Sequence, residues 1–371
     1  MKIAQIVCSF PPYKGGIGNS AWRLKKLIEP EIDLETFTFK QSDLGENELT
    51  DKNTYYLKPL IKMGQAAFLP QIFFKLNKFD SIILHYPFFG VMEVVWLQRL
   101  LSRKKSKLII FYHMDVPRLS YLNQILSLPG RLLGRQLIKQ ADKVVVSSYD
   151  YLENSAIKNI YKKYPEKFTA IPFAIDTEKF RPEKIDYAQE KNSQVRLLFV
   201  GGLDKAHYFK GVDKLIKAVS NLRNSNWHLD IIGSGSLVPE LKNLSQKLNL
   251  EAKINFGQKL SDKAFLEKYR QADILILPSI NKHEAFGLVI IEAMASGTAI
   301  IASSLPGVRT VFSEGSGLKV KPGDIKDLAK KIDYLIDRPR LLVAMKKKAR
   351  QEAKDKYNLN KAKESWLKLL T

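Results

Sequence analysis

Short apolar, β-branched runs recur along the chain, separated by longer stretches in which apolar residues repeat at helical spacing. The runs predict strands at Ile3–Cys8, Glu35–Phe39, Ser81–His85, Lys107–Tyr112, Lys143–Ser147 and Phe168–Ile171. A second series follows at Val195–Val200, Trp227–Ile232, Ala252–Phe256, Ile274–Leu277 and Thr298–Ala302. Between them lie amphipathic stretches such as Gly211–Asn221 and Asp262–Gln271. Strands alternating with helices imply parallel sheets covered on both faces, hence runs apolar throughout rather than at every second residue. The two series are separated by a polar segment, Arg181–Ser193, without a clear period. The chain therefore reads as two doubly wound α/β domains. Ligands of such folds collect at the carboxyl ends of the strands.

Composition narrows this little. A length of 371 residues suits two domains, and 45% hydrophobic content is ordinary. No apolar run is long enough to predict a membrane-spanning helix, and the start of the sequence enters a strand pattern without a signal-peptide cleavage region. The single cysteine, Cys8, excludes an intrachain disulfide and fits a reducing cytoplasm. Its place at a strand end suits a small packed residue.

Charge adds more. The net charge is +22, and residues 52–143 hold fifteen Lys/Arg against four Asp/Glu. Such a surplus attracts anions: nucleic acid, acidic headgroups or phosphorylated substrates. Within it, Tyr55–Lys75 mixes aromatics, aliphatics and lysines, Arg99–Lys107 is a cationic cluster, and Leu126–Arg135 is basic and apolar. These stretches predict either elements that dock on an anionic membrane or core-facing helices with solvated basic backs. A nucleic-acid partner is not expected, because no motif of that class is present.

The most informative segment runs from Leu277 to Gly297: LPSINKHEAFGLVIIEAMASG. A strand ends at Leu277, a polar turn follows, and a helix is expected from near Ala285 to Gly297. Glu284 then stands at the helix entrance, where the amides of Phe286, Gly287 and Leu288 lack intrahelical partners and, with the helix dipole, form an anion site. Gly287 lets a diphosphate approach the backbone. Glu292 follows about 9 Å along the axis from the tip. A nucleotide sugar is long enough to set its phosphates on the tip while the two carboxylates grip hydroxyls on either side.

This segment resembles the Glu-x7-Glu signature of retaining glycosyltransferase family 4, and the resemblance extends over nearly the whole chain. Leu198–Leu203 with Phe209–Ile216 resembles the family's first C-domain strand, phosphate loop and helix. Ile232–Gly235 resembles its second glycine-rich turn, Phe256–Leu260 its base-binding loop, and Pro306–Val308 and Gly317–Gly323 later turns. The resemblance implies a GT-B fold, two Rossmann-like parallel-sheet domains facing across a cleft. Residues 1–185 would form an acceptor-side domain and 186–355 a nucleotide-sugar domain, with 356–371, including Trp366, crossing back as a helix. It also implies a retaining enzyme that moves a hexosyl unit (mannose, glucose, galactose or an N-acetylhexosamine) from a nucleoside diphosphate sugar to a hydroxyl acceptor. That acceptor would be lipid-linked or a growing cell-surface polysaccharide, placing the enzyme in the cytoplasm or on the inner face of the membrane.

By the same resemblance, Glu284 contacts the transferred sugar, Glu292 the ribose, and the Phe286–Leu288 amides the sugar and diphosphate. Lys210 neutralises the leaving diphosphate, and His113 lies near the reacting sugar. Gly257, Gln258 and Lys259 belong to the base pocket, suiting guanine or uracil. Gly15 and Gly16, in Pro11–Gly18, match a loop whose bare backbone lets acceptor and donor phosphates approach. Asp115 orients His113, meets the acceptor or caps a loop.

Two departures stand out. The family usually carries an arginine where Gly202 stands, and Lys205, in the longer loop Asp204–Phe209, is a candidate substitute for its charge. Phe173-Ala174 replaces a common Asn-Gly. No Asp-x-Asp motif or His/Cys spacing suggests a metal, and none is expected, since the helix dipole and lysines can serve the phosphates. Two other classes remain open: a nucleotide-sugar epimerase of the same architecture, and a non-enzymatic basic nucleic-acid-binding protein.

Overall fold

The computed structural model describes all residues except 14, 42–50, 103–105, 117–127, 183–193 and 258–259. Gln258 and Lys259, the centre of the Arg99–Lys107 cluster, the start of Leu126–Arg135 and most of the polar segment Arg181–Ser193 thus lie outside the described residues. The chain forms two compact units: Met1–Phe173 with Asn360–Thr371, and Ala174–Leu359.

In the first unit, β1 (Lys2–Ile6), β2 (Asp33–Phe39) and β3 (Thr54–Leu57) precede a small hairpin, β4 (Ile61–Met63) and β5 (Ala66–Phe68). Then come β6 (Ser81–Tyr86), β7 (Lys107–Tyr112), β8 (Lys143–Val146) and β9 (Phe168–Ala170). All but the hairpin join one parallel sheet in the order β3-β2-β1-β6-β7-β8-β9. Its strands are apolar on both faces because helices cover both, and Ile82, Ile83 and Leu84 are wholly buried. The C-terminal helix Leu359–Leu370 supplies Trp366 and Leu370 to this unit's core, beside Ile3, Leu24 and Phe111. Its last turn is capped by Lys107, whose ammonium donates to the Leu369 carbonyl at 2.8 Å.

In the second unit, β10 (Val195–Val200), β11 (Trp227–Ile232), β12 (Ile254–Gly257), β13 (Ile274–Leu277), β14 (Ala299–Ser303) and β15 (Gly317–Val320) form a parallel sheet. Their order is β12-β11-β10-β13-β14-β15. This is the Rossmann order, and it reverses between β10 and β13.

The division of the chain falls at Phe173, ahead of the polar segment that the sequence suggested as the linker. Residues after it are held by the second unit. The Ile175 amide donates to Tyr357 O, Phe180 packs edge-on against Tyr269, and Arg350 donates to the carbonyls of Thr177 and Phe180. The eleven strands read from the sequence are all present, with ends shifted by up to two residues. Among the described residues no helix is long and apolar enough to cross a membrane.

Candidate functional site

The order of the second sheet reverses between β10 and β13, and the loops leaving these two strands lie at the point where ligands of such folds bind. The β10 loop continues into a 3-10 turn, Lys205–Lys210, then the helix Val212–Val219. It is tied to the β13 loop by the Ile280 amide, which donates to Phe209 O at 2.7 Å. Gly211 makes the close approach: its φ is +68°, and a Cβ there would run into the Pro278 carbonyl oxygen. Lys210 is thereby carried over Gly201, where a Cβ would lie 2.7 Å from the lysine Cδ.

Lys210 Nζ donates to Glu284 Oε2 at 2.8 Å, and Ser279 Oγ donates to the same oxygen at 3.2 Å. Both side chains of the ion pair are largely buried. The two acids of the signature are thus placed by different elements, Glu284 by the β13 loop and Glu292 by the helix that follows.

That helix spans Leu288–Ala295, so it starts later than the expected position near Ala285. The reason is Gly287, whose φ of +84° is incompatible with a right-handed helix and makes it the N-cap. Phe286 and Gly287 therefore precede the helix and Leu288 is its first residue, three positions after the expected start. Glu284 stands in the turn before it, its amide donating to Asn281 O. Glu292 is buried, and Oε2 accepts the Tyr269 hydroxyl at 2.7 Å. Tyr269 comes from the preceding helix and meets Glu292 only in the fold, whereas Ser279 lies in the same loop as Glu284, five residues before it, and was within reach of the sequence.

Lys205 is exposed at the start of the 3-10 turn and makes no ion pair among the described residues. The side chain beside Gly202 is instead His207, 2.7 Å from where a Gly202 Cβ would stand and held by Asp204 at 2.8 Å. Gly257 closes β12, its carbonyl accepting the Gly233 amide.

In the first unit the carboxyl ends of β6 and β7 bring two histidines together. His113 Nε2 and His85 Nδ1 are 2.7 Å apart, with rings stacked at 5.0 Å. Phe173 stacks on the other side of His113 at 5.9 Å. Burial pushes His113 down to about 3, and burial together with His113 holds His85 well below the usual imidazole range. His85 Nε2 is buried without a hydrogen-bond partner. An orphaned acceptor is tolerated better than an orphaned N–H, which favours His85 as donor to His113 Nε2 and leaves the His113 proton on Nδ1. His85 went unread in the sequence, although the ends of neighbouring parallel strands are where such a partner belongs.

Asp115 is buried in the loop after β7. Its Oδ1 accepts the Tyr112 hydroxyl at 2.6 Å and the Ala156 amide at 2.9 Å, pinning the loop after β7. His113 Nε2 bonds His85. Gly15 caps the helix Gly16–Ile28 with extended backbone, and nothing lies within 4 Å of a Cβ built at Gly16. The helix is seated by Gly18 instead, where a Cβ would strike Ser9. Cys8 is buried, with burial pushing its thiol up to about 12, as suits a packed residue. Among the described residues no group of three or more His, Cys, Asp or Glu could hold a metal ion.

The histidine pair makes folding sensitive to acid. Both imidazoles stay neutral when folded, whereas unfolded ones take up protons below about pH 6.5. The unfolded state then binds more protons, so stability falls as pH drops, by up to ~1.4 kcal/mol per pH unit for each imidazole. Replacing His85 with phenylalanine removes one of the two. Between about pH 7 and pH 5 the variant should lose about 2 kcal/mol less stability than the parent chain. Urea denaturation at both pH values measures this; parallel losses would contradict it.

Comparison with known proteins bears on this arrangement. Residues 180–352 match the family described as glycosyl transferases group 1. An uncharacterized glycosyltransferase of Haemophilus influenzae is 34% identical over 186 residues, 48% of this chain and 51% of the relative. An uncharacterized glycosyltransferase of Methanocaldococcus jannaschii is 25% identical over 407 aligned positions, 98% of this chain and 97% of its own. Several other curated relatives are matched over about half their length. Among solved structures, Anabaena HepE in complex with UDP has the same fold, with a TM-score of 0.78 at 18% identity and coverage of 100% of this chain and 99% of that one. The second Rossmann-like unit, which carries the ion pair and both signature acids, is thus the part of the chain that matches the glycosyl transferases group 1.

Proposed function

We propose that the chain is a retaining hexosyltransferase that takes its sugar from a nucleoside diphosphate donor held at the β10–β13 reversal. The observation that carries this reading is the Lys210–Glu284 pair at that point, followed by a helix whose tip is bare at Gly287 and which holds Glu292 in its body. The HepE structures with UDP and with UDP-glucose support a donor of this kind on this fold.

In this reading the diphosphate rests on the first-turn amides from Leu288, and Lys210 meets its leaving oxygens. Negative charge on that group grows as the bond from the sugar carbon to phosphate oxygen breaks, so a fixed cation favours the transition state over the bound donor. Glu284, oriented by Lys210 and Ser279, contacts the sugar, and Glu292, oriented by Tyr269, contacts the ribose. His113 is the first unit's candidate contact to the sugar, and Gly15 and Gly16 are its candidates for the acceptor side. The acceptor hydroxyl attacks from the face the leaving group departs, and its proton passes to the departing phosphate. Lys210 and the helix dipole do the work at the diphosphate that a metal does elsewhere. The acceptor is a hydroxyl on a lipid-linked or growing polysaccharide chain.

The test is a panel of UDP- and GDP-hexoses incubated with the chain and sugar acceptors, read by nucleoside diphosphate release and by proton NMR of the product anomer. Retained configuration is expected. An inverted product, or epimerised donor released without acceptor, would overturn the assignment.

A further inference from the structure

The β4–β5 hairpin has its polarity the wrong way round for a soluble surface. It is a two-stranded antiparallel ribbon that joins neither large sheet. Residues opposite each other in such a pair share a face, and the register sets Ile61 against Phe68, Lys62 against Ala67 and Met63 against Ala66. The Lys62–Ala67 face is anchored at Ala67, with Lys62 itself exposed. Ala67 is buried, its amide donates to Phe89 O, a Cβ on Gly90 would strike its carbonyl, and the Lys62 ammonium lies over the buried Phe39 ring. The other face is apolar and solvent-facing: Ile61 is 67% exposed and Met63 71%, with Phe68 beside them at 37%.

The neighbouring positions continue this surface. Leu60, where the chain enters the hairpin, is 71% exposed, and Phe74, on the helix Ile72–Lys75, is 77% exposed. The Gln71 side chain donates to Lys58 O at 2.8 Å, fastening the start of that helix to the hairpin's base. Large apolar side chains placed outward on a short ribbon mark a surface that is covered in use.

Charge selects what covers it. Residues 58–78 hold four lysines and no acidic residue. All four are exposed; Lys78 pairs with Glu35 and Lys62 sits over Phe39, whereas Lys58 and Lys75 make no ion pair among the described residues. A second copy would set like charges against each other. Apolar tips rimmed by lysines match instead the layered chemistry of a bilayer, acyl chains below and anionic headgroups above.

We propose that the outer face of the β4–β5 hairpin, with Leu60 and Phe74, inserts into the interface of an anionic lipid bilayer while Lys58 and Lys75 meet its headgroups. The inference does not depend on the donor site, and its test uses neither donor nor acceptor, so the two can fail separately. The full chain is co-sedimented with phosphatidylglycerol or phosphatidylcholine vesicles at low and high salt. Binding to phosphatidylglycerol alone, weakened by salt, is expected. The double replacements Ile61→Ser with Met63→Ser, and Lys58→Glu with Lys75→Glu, should each lower the bound fraction at low salt by about tenfold. These positions are exposed, so the unfolding midpoint should hold; if a double variant misfolds, Phe74→Ser carries the apolar arm. Three results would overturn the proposal. The chain could fail to sediment with anionic vesicles, or the variants could sediment as the parent does. Light scattering could also reveal a dimer that the apolar replacements dissolve, making a second copy the occupant.

Discussion

Lys210→Met lowers kcat for glycosyl transfer by about 10²–10³-fold, the range seen when one preorganised group aimed at a developing charge is removed. The argument rests on where the cation is held. Its Nζ lies 2.8 Å from Glu284 Oε2, and its alkyl chain runs over Gly201, where no other residue would leave room. A side chain fixed in this way needs no reorganisation as charge builds on the leaving diphosphate. Its loss should therefore fall on kcat more heavily than on the donor KM. Removing one partner of a largely buried pair also costs stability, because among the described residues the Glu284 carboxylate keeps only Ser279. The double variant Lys210→Met with Glu284→Gln separates the two effects: it should recover most of the stability and none of the rate. Steady-state kinetics and urea melts of both variants check this, and an unchanged kcat in Lys210→Met would contradict it.

Gly211→Ala destabilises the second unit by about 3 kcal/mol or more and lowers transfer with it. Two penalties meet at this position. The left-handed backbone, φ +68°, costs an L-residue about 1–2 kcal/mol. The added methyl also collides with the Pro278 carbonyl, part of the backbone that leads to Glu284 and so unable to swing aside. Relief of the clash moves Lys210, the preceding residue, away from Glu284. Gly64→Ala is the control, since φ there is +59° and nothing lies within 4 Å of the new methyl. It should cost only the backbone term, about 1–2 kcal/mol. Denaturation midpoints for the pair isolate the collision, and equal losses would show that the β10 and β13 loops do not need so close an approach.

Much of the second unit was legible because its strands are buried on both faces. Ile274–Leu277 is apolar at every position and buried at every position, which leaves few other readings. The same physics hid β15, a short edge strand that opens on Gly317 and carries Lys319; the glycine is required because a Cβ would strike Ile300 O. The hairpin was hidden for the opposite reason. Its apolar residues face out, so alternation that normally reveals a half-buried strand points to the wrong side.

At the candidate site, a local motif marked the two acids and the family resemblance marked the lysine, and the fold brings Lys210 to Glu284 across 74 positions of chain. The start of the helix was misjudged, because Gly287 was weighed for its missing side chain and not for the positive φ that this permits. Ser279 is a local partner, five residues before Glu284 in one loop, but Tyr269 and His85, which meet Glu292 and His113, have no local signature. They depend on which strands and helices become neighbours, which only the parallel order of each sheet decides.

A structure of the chain crystallised with a nucleoside diphosphate examines the donor assignment without any assumption about sugar or acceptor. Phosphate oxygens should lie at ~2.7–3.2 Å from Lys210 Nζ and the Leu288 amide, with Glu292 on the ribose hydroxyls. A nucleotide seated away from the β10 and β13 loops, with Glu284 and Glu292 touching none of it, would contradict the account.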